Sequence, residues 1–364
     1  MRQPLRSLVT VLAVLLGLGA PAQAQSTAHP AVLAMFDDGL TRLGADGTTA
    51  RLYTFPTRTN DDGQSIPAHG HRGLYVDESA GLWALERYSF SQELETSSTP
   101  PAWVMGDQAG RVTVRARDRR CIHEDGCIEM FRYWSPTTGV LVTETQRPVG
   151  DRMQASVLLY GSATTHRARV PFTIGFSRVG PGASVAWATQ DGIGVLQWSS
   201  LLRARPSAGA LLPGPVRTEL VVAAGDTVFY AEDVAPERTL RSDQLVAASI
   251  RSGQRVVLDG PSTSTAYRLG TAAATPHGTL VFARCTTRPF TISICEIVEA
   301  SATTLRVIST GWDDLHDVSE DGRFALVAGT DHTAIHGFVV LDLSSGQAVW
   351  RLPRLVRDGR FVRA

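Results

Sequence analysis

Short apolar runs separated by glycine-containing turns recur along this chain, and the last group of them shows the pattern most plainly. Within Leu315–Leu352 (LHDVSEDGRFALVAGTDHTAIHGFVVLDLSSGQAVWRL) the alternation predicts four strands: Leu315–Ser319, Phe324–Gly329, Phe338–Leu343 and Gln347–Leu352. A Glu320-Asp321-Gly322-Arg323 turn joins the first two and a Ser344-Ser345-Gly346 turn the last two. Asp-Gly or Ser-Gly between apolar, β-branched runs is a hairpin signal. A polar loop with His332 and His336 lies between the hairpins. Two hairpins in succession make a four-stranded blade, the repeating unit of a β-propeller.

Imperfect copies of this unit precede it. First-hairpin turns are expected at Glu78–Gly81, Thr137–Gly139, Gly180–Gly182, Gly225-Asp226, Pro276–Gly278, Asp321-Gly322 and Asp358-Gly359. The interval from Gly81 to Gly139 is 58, and from Gly139 the glycines at 182, 225, 278, 322 and 359 follow at 43, 43, 53, 44 and 37, a period in the forties that four-stranded blades require. A second series falls between them, at Gly47, Gly110, Gly161, Gly253, Ala300–Ala302 and Gly346, with no clear turn between Gly182 and Gly225. The expected fold is therefore all-β: one propeller domain over residues 28–364, with seven four-stranded blades and six or eight as the alternatives. Outer-strand material at Ala31–Pro56 and an inner hairpin at Val356–Ala364 would build one blade from both ends of the domain and close the ring.

VSEDGRFALVAG followed by VVLDLSSGQ resembles the Ser-Pro-Asp-Gly-Arg/Lys repeat of TolB-type and WD-repeat-like bacterial propellers, and YWSPTTGVLVTE is a looser match. The other copies lack the Asp-Gly pair, and Trp312-Asp313 falls in a connecting loop rather than closing a strand. The resemblance implies a propeller and a tendency to bind partners, with no catalytic residue attached.

Composition adds a compartment. Arg2 and Arg6, an apolar run over Leu8–Gly19 and Ala22-Gln23-Ala24 read as a secretory signal over residues 1–24. No cysteine precedes Cys121, so a lipoprotein is not expected, and no later stretch is long and apolar enough to span a bilayer. An exported protein, periplasmic or extracellular and monomeric, is the expectation. Formal charge is zero with 35 basic residues, all of them Arg, against 35 acidic ones. That balance offers no footprint for nucleic acid, and the absence of Lys excludes lysine Schiff bases and the phosphate-binding-loop lysine.

Candidate chemistry is sparse. In an exported protein, Cys121 with Cys127 and Cys285 with Cys295 are expected as local disulfides; the spacings lack a Cys-x-x-Cys pair for zinc. His69, His71 and Arg72 precede one inner strand, and Trp312, Asp313, Asp314, His316 and Asp317 occupy the corresponding place in the last blade. Loops before inner strands converge at a propeller's channel mouth, so these eight residues are the candidate binding site. Two His with carboxylates suit a transition metal, and carboxylates with carbonyls suit calcium, though a solvated polar rim without cofactor is the simpler expectation. No His-Glu-x-x-His or Gly-x-Ser-x-Gly motif is present. The expected function is a non-catalytic binding or scaffold module of the periplasm, envelope or extracellular space, with a protein or envelope component as partner. The alternative is a propeller hydrolase or lyase on a carbohydrate-like substrate, with or without a metal held through His69, His71, His316 and Asp314.

Overall fold

The computed structural model describes residues 30–77, 81–88, 102–116, 128–135, 140–149, 152–160, 165–169, 184–189, 192–197, 211–213, 221–235, 242–286, 294–331, 335–353 and 356–362, and contains no helix among them. The expected signal segment, Cys121, Cys127 and His332 lie outside the described residues.

Strands β1 (Ala31–Phe36), β2 (Gly39–Leu43) and β3 (Thr49–Thr54) open the fold. A separate two-stranded ribbon follows, β4 (Thr57–Thr59) and β5 (Ser65–Pro67). β6 (Gly70–Asp77), β7 (Leu82–Tyr88), β8 (Ala102–Asp107) and β9 (Val112–Ala116) form one meander. β10 (Ile128–Ser135), β11 (Val140–Val149), β12 (Arg152–Tyr160) and β13 (Thr165–Arg169) form the next. β14 (Ser184–Thr189), β15 (Gly192–Gln197) and β16 (Leu211–Pro213) make a three-stranded sheet, in the stretch where no second turn is legible. Then come β17 (Val221–Ala224), β18 (Thr227–Asp233), β19 (Asp243–Ser249) and β20 (Arg255–Ser262). β21 (Thr265–Ala274), β22 (Leu280–Thr286), β23 (Ile294–Ala300) and β24 (Leu305–Trp312) follow. The last meander is β25 (Asp314–Val318), β26 (Phe324–Asp331), β27 (Ile335–Asp342) and β28 (Ala348–Arg351), and β29 (Asp358–Val362) is the final described strand.

The described residues thus carry six four-stranded sheets and one of three strands, each antiparallel, besides the ribbon. The protein is a β-propeller. Its innermost strands touch in sequence, β14 to β17, β21, β25, β29, β6 and β10. β29 pairs with β1, Ala31 opposite Val362 and Met35 opposite Asp358, so one sheet in the order β29-β1-β2-β3 joins both ends of the domain. Closure by both ends is as expected, but its make-up differs. Asp358-Gly359 is not a hairpin turn; it opens the innermost strand of the closing blade. That is why the last interval in the glycine series is short.

The turns explain why the meander forms. Gly81, Gly225, Gly278 and Gly322 in first hairpins, and Gly47, Gly110, Gly253 and Gly346 in second hairpins, all hold positive φ. In the Asp321-Gly322 turn, Ser319 Oγ donates to Asp321 and accepts from the Phe324 N–H at 2.9 Å, while Asp321 accepts from the Arg323 N–H. Gly322, at φ 71°, supplies the left-handed residue that lets the chain re-enter the ladder.

Strands inside the sheets carry apolar residues on both faces because they pack on two neighbouring blades. In β1, Ala31, Leu33 and Met35 join Leu74, Trp83, Leu85 and Val104 of the following blade. Val32 and Ala34 face the other way, onto Phe324, Leu326, Phe338 and Val340 of the preceding blade. β22 and β23 divide similarly, with Val281, Ala283 and Ile297 on one side and Leu280, Phe282 and Val298 on the other. Period-two alternation therefore places the core between sheets.

Candidate functional site

The Leu315–Val318 segment is the innermost strand of its blade, as its pattern predicts, but the acidic stretch before it is not a loop. Trp312 ends β24 and Asp314 begins β25, leaving Asp313 as a one-residue link whose N–H donates to the Ala328 carbonyl at 2.9 Å. The Trp312 Nε1–H donates to Ser309 Oγ at 3.0 Å, and its ring packs against the core between blades. A bulge in the β25–β26 ladder leaves His316 unmatched between the Leu315 and Asp317 pairs. Bulges re-aim side chains, and here the His316 ring turns towards β29.

At the start of β29 stands Asp358, which sequence reasoning missed because the Asp-Gly pair reads as a turn. Its carboxylate joins three blades. Oδ1 accepts from Arg360 Nη1 at 2.8 Å and the Gly359 N–H at 2.8 Å, with His316 Nδ1 at 3.3 Å; Oδ2 accepts from the Leu74 N–H of β6 at 3.2 Å. Burial acts to raise this carboxyl, yet Arg360, His316 and the Leu74 amide hold it below the ordinary carboxylate value. The neighbouring predicted carboxylates are tied in the same way. Asp317, 3% exposed, accepts from the Phe361 N–H at 2.8 Å. Asp314 pairs with Arg268 of the preceding blade at 3.0 Å and accepts from Thr271 Oγ1 at 3.3 Å. Asp314, His316, Asp317 and Asp358 form a polar belt that laces innermost strands together.

His69 and His71 are not part of that belt. His71 lies in β6 with its ring stacked on Phe55 (centroids 3.9 Å apart, 7° between planes) and edge-on to Tyr53 at 6.0 Å. Phe55 and Tyr53 belong to the outer edge of the closing blade and its exit, so His71 sits between blades. Burial first, then the charges of His69 and Arg87, press its imidazole down to about 4, and it is neutral at neutral pH. His69, half-buried, is also lowered, by burial and by Arg87 and Arg58. The backbone of Arg72 pairs opposite Glu86 beside a bulge at Gly73, φ 62°. The expected convergence of both groups at one mouth is thus resolved into two places: a belt around Asp358 and a basic, aromatic cluster at His71. Among the described residues no group of three or more His, Cys, Asp or Glu is placed to hold a metal ion.

Cys285 and Cys295 form a disulfide between directly opposed residues of β22 and β23. Both are buried in the core between blades. No described helix is long and apolar enough to cross a membrane.

No family model and no curated protein sequence matches the chain. Among solved structures it is similar to a prolyl endopeptidase, with TM-score 0.51 and 11% identity over 88% of this chain and 50% of that one. This sequence therefore spans about half the length of that enzyme, and the likeness shows the fold alone. It is also similar to TolB from Acinetobacter baumannii (TM-score 0.42, 12% identity, 89% and 80% covered). A third likeness is to a eukaryotic initiation factor (TM-score 0.41, 10% identity, 92% and 98% covered).

Proposed function

We propose that this propeller is a non-catalytic binding module of the periplasm, envelope or extracellular space, engaging a protein or envelope component on the face where its innermost strands begin. The observation that supports the reading most is the commitment of the candidate acid–base groups to holding blades together. Asp314 is tied to Arg268, Asp317 to the Phe361 amide, and His316 to Asp358. A general acid or base must reach substrate with its proton, and groups locked into structural bonds are poorly placed for that. The Cys285–Cys295 bond supports an oxidising compartment. The ribbon β4–β5, exposed along most of its length, leads into innermost strand β6, and exposed connections on a rigid scaffold suit partner binding.

The test uses the full-length protein in a host that exports it. Photocrosslinking residues replace Thr59 on the ribbon and, as a control, exposed Val257 on outer strand β20. A recurring envelope protein crosslinked from Thr59 and not from Val257 supports the reading. Release of products from a polysaccharide panel by the purified protein, lost on His69→Ala or Asp314→Ala, overturns it in favour of a hydrolase or lyase. Metal analysis of the same preparation decides whether calcium or a transition metal belongs to it.

A further inference from the structure

Four basic side chains gather where the closing blade meets the next, and among the described residues no carboxylate pairs with any of them. His71 and Arg87 are directly opposite in the β6–β7 ladder, so their side chains leave the same face of the sheet. His69 comes two residues before His71, and Arg58 lies on exposed ribbon strand β4. His71 is 8% exposed, and neither ring nitrogen meets a hydrogen-bond partner of good geometry, the His69 backbone acting only weakly on the ring. Nε of Arg87 is likewise shielded and unpartnered. Aromatic rings wall the cluster: Tyr53 lies 5.8 Å from both Phe55 and Trp83, and Phe55 stacks on His71.

Shielded donors without acceptors are costly unless something supplies an acceptor. The sign of the surrounding charge decides what. Arg87 depresses both histidines and Arg58 depresses His69, so a metal cation would meet two guanidiniums. An anion meets the two guanidinium charges and, on each neutral imidazole, one N–H donor. The guanidinium fork matches a carboxylate in two parallel bonds, and a monoanion loses less hydration than a phosphate dianion on entering a site walled by rings.

Resting on the binding reading above, the geometry points to a carboxylate-binding site formed by His69, His71, Arg58 and Arg87, which captures an acidic group presented by the partner. The carboxylate can come from an Asp or Glu side chain or from the free C-terminus of a polypeptide.

The imidazole resonances of the full-length protein report the outcome by NMR. Probes are acetyl-tetraglutamate amide, acetyl-tetraalanine with a free C-terminal carboxylate, its neutral amide, and inorganic phosphate. One carboxylate peptide should shift the His69 signal saturably and raise its titration midpoint by about one unit, and which peptide does so identifies the source. Arg87→Gln should weaken that binding roughly ten-fold. Arg58→Gln, on the exposed ribbon, guards against a misfolded Arg87 variant and should weaken it about three-fold. Arg251→Gln, whose partner is Asp226 on a distant turn, should change nothing. A neutral amide as effective as the acids, phosphate as the sole saturating probe, or no shift at all overturns the site. Crosslinks from Thr59 with silent peptides would sink the carboxylate site alone; peptide binding with no crosslinked envelope protein would sink the partner reading alone.

Discussion

Asp358 Oδ2 accepts the Leu74 N–H at 3.2 Å across 284 residues of sequence. The bond ties the innermost strand of the closing blade to that of the next blade, while the same carboxylate holds His316 and Arg360. A part-buried acceptor with donors from three blades is a joint of the ring.

Replacing Asp358 by Ala should therefore destabilise the fold by about 3 kcal/mol, because an amide, an imidazole and a guanidinium lose their acceptor together. Asp358→Asn should cost about half as much, and His316→Ala about 1 kcal/mol, since Arg360 still meets the carboxylate. Urea unfolding midpoints read the order; equal losses for His316→Ala and Asp358→Ala would remove the joint from the account.

Mild acid should weaken the protein through His71. Its folded value, about 4, lies below the unfolded value of 6.5, so the unfolded chain takes up a proton first. Above pH 6.5 the residue contributes no pH dependence; between 6.5 and 4 stability falls, by at most roughly 3 kcal/mol in all, and then levels off. Asp358 acts lower down: its depressed carboxyl adds stability above the unfolded 3.8 that is lost as pH falls through the folded value. Denaturation curves from pH 7.5 to 4.5 should show a slope that His71→Phe reduces, the remainder coming from His69, whose imidazole is also depressed by burial and the nearby arginines.

Much of this architecture was legible, and its failures have local causes. The turns at Gly225, Gly278, Gly322, Gly253 and Gly346 stood out because a left-handed residue is written as glycine in the sequence. Asp358-Gly359 carries the same dipeptide at an ordinary φ, and only pairing with Ala31–Met35 distinguishes strand from turn. The ribbon β4–β5 is not legible because TRT and SIP are exposed and carry no apolar alternation. His69 and His71 were legible as residues of interest, but the Phe55 stack beneath His71 comes from another blade, and no local pattern reports it.

Gly106 faces Trp83 across the β7–β8 ladder, and a Cβ there would lie 2.2 Å from the indole ring. The ring is 1% exposed and its Nε1–H donates to the Asp107 carbonyl at 3.1 Å, so it has little room to move. Gly106→Ala should cost about 2–3 kcal/mol by overpacking. A thermal midpoint unchanged from the parent would show that the indole can shift.

The cysteine pair can be checked by mass and by melting. Labelling the unreduced, denatured protein should find Cys285 and Cys295 protected, and Cys121 with Cys127 are expected to be protected too. Reduction should lower stability by about 2–3 kcal/mol, the amount the chain-entropy model assigns to a closed loop of about ten residues. Free thiol at Cys285 or Cys295 in the native, unreduced protein would contradict the bond.

The pairing of β1 with β29 also sets an order of events during synthesis. β1 emerges early, carries apolar residues on both faces, and has β2 on one edge at once. Its other edge waits for residues 358–362, which leave the ribosome more than three hundred residues later. At typical elongation rates that is tens of seconds with an unpaired, sticky strand. A message truncated just before Asp358 should therefore yield a product that aggregates although nearly every blade has been made, because the edge of β1 stays open.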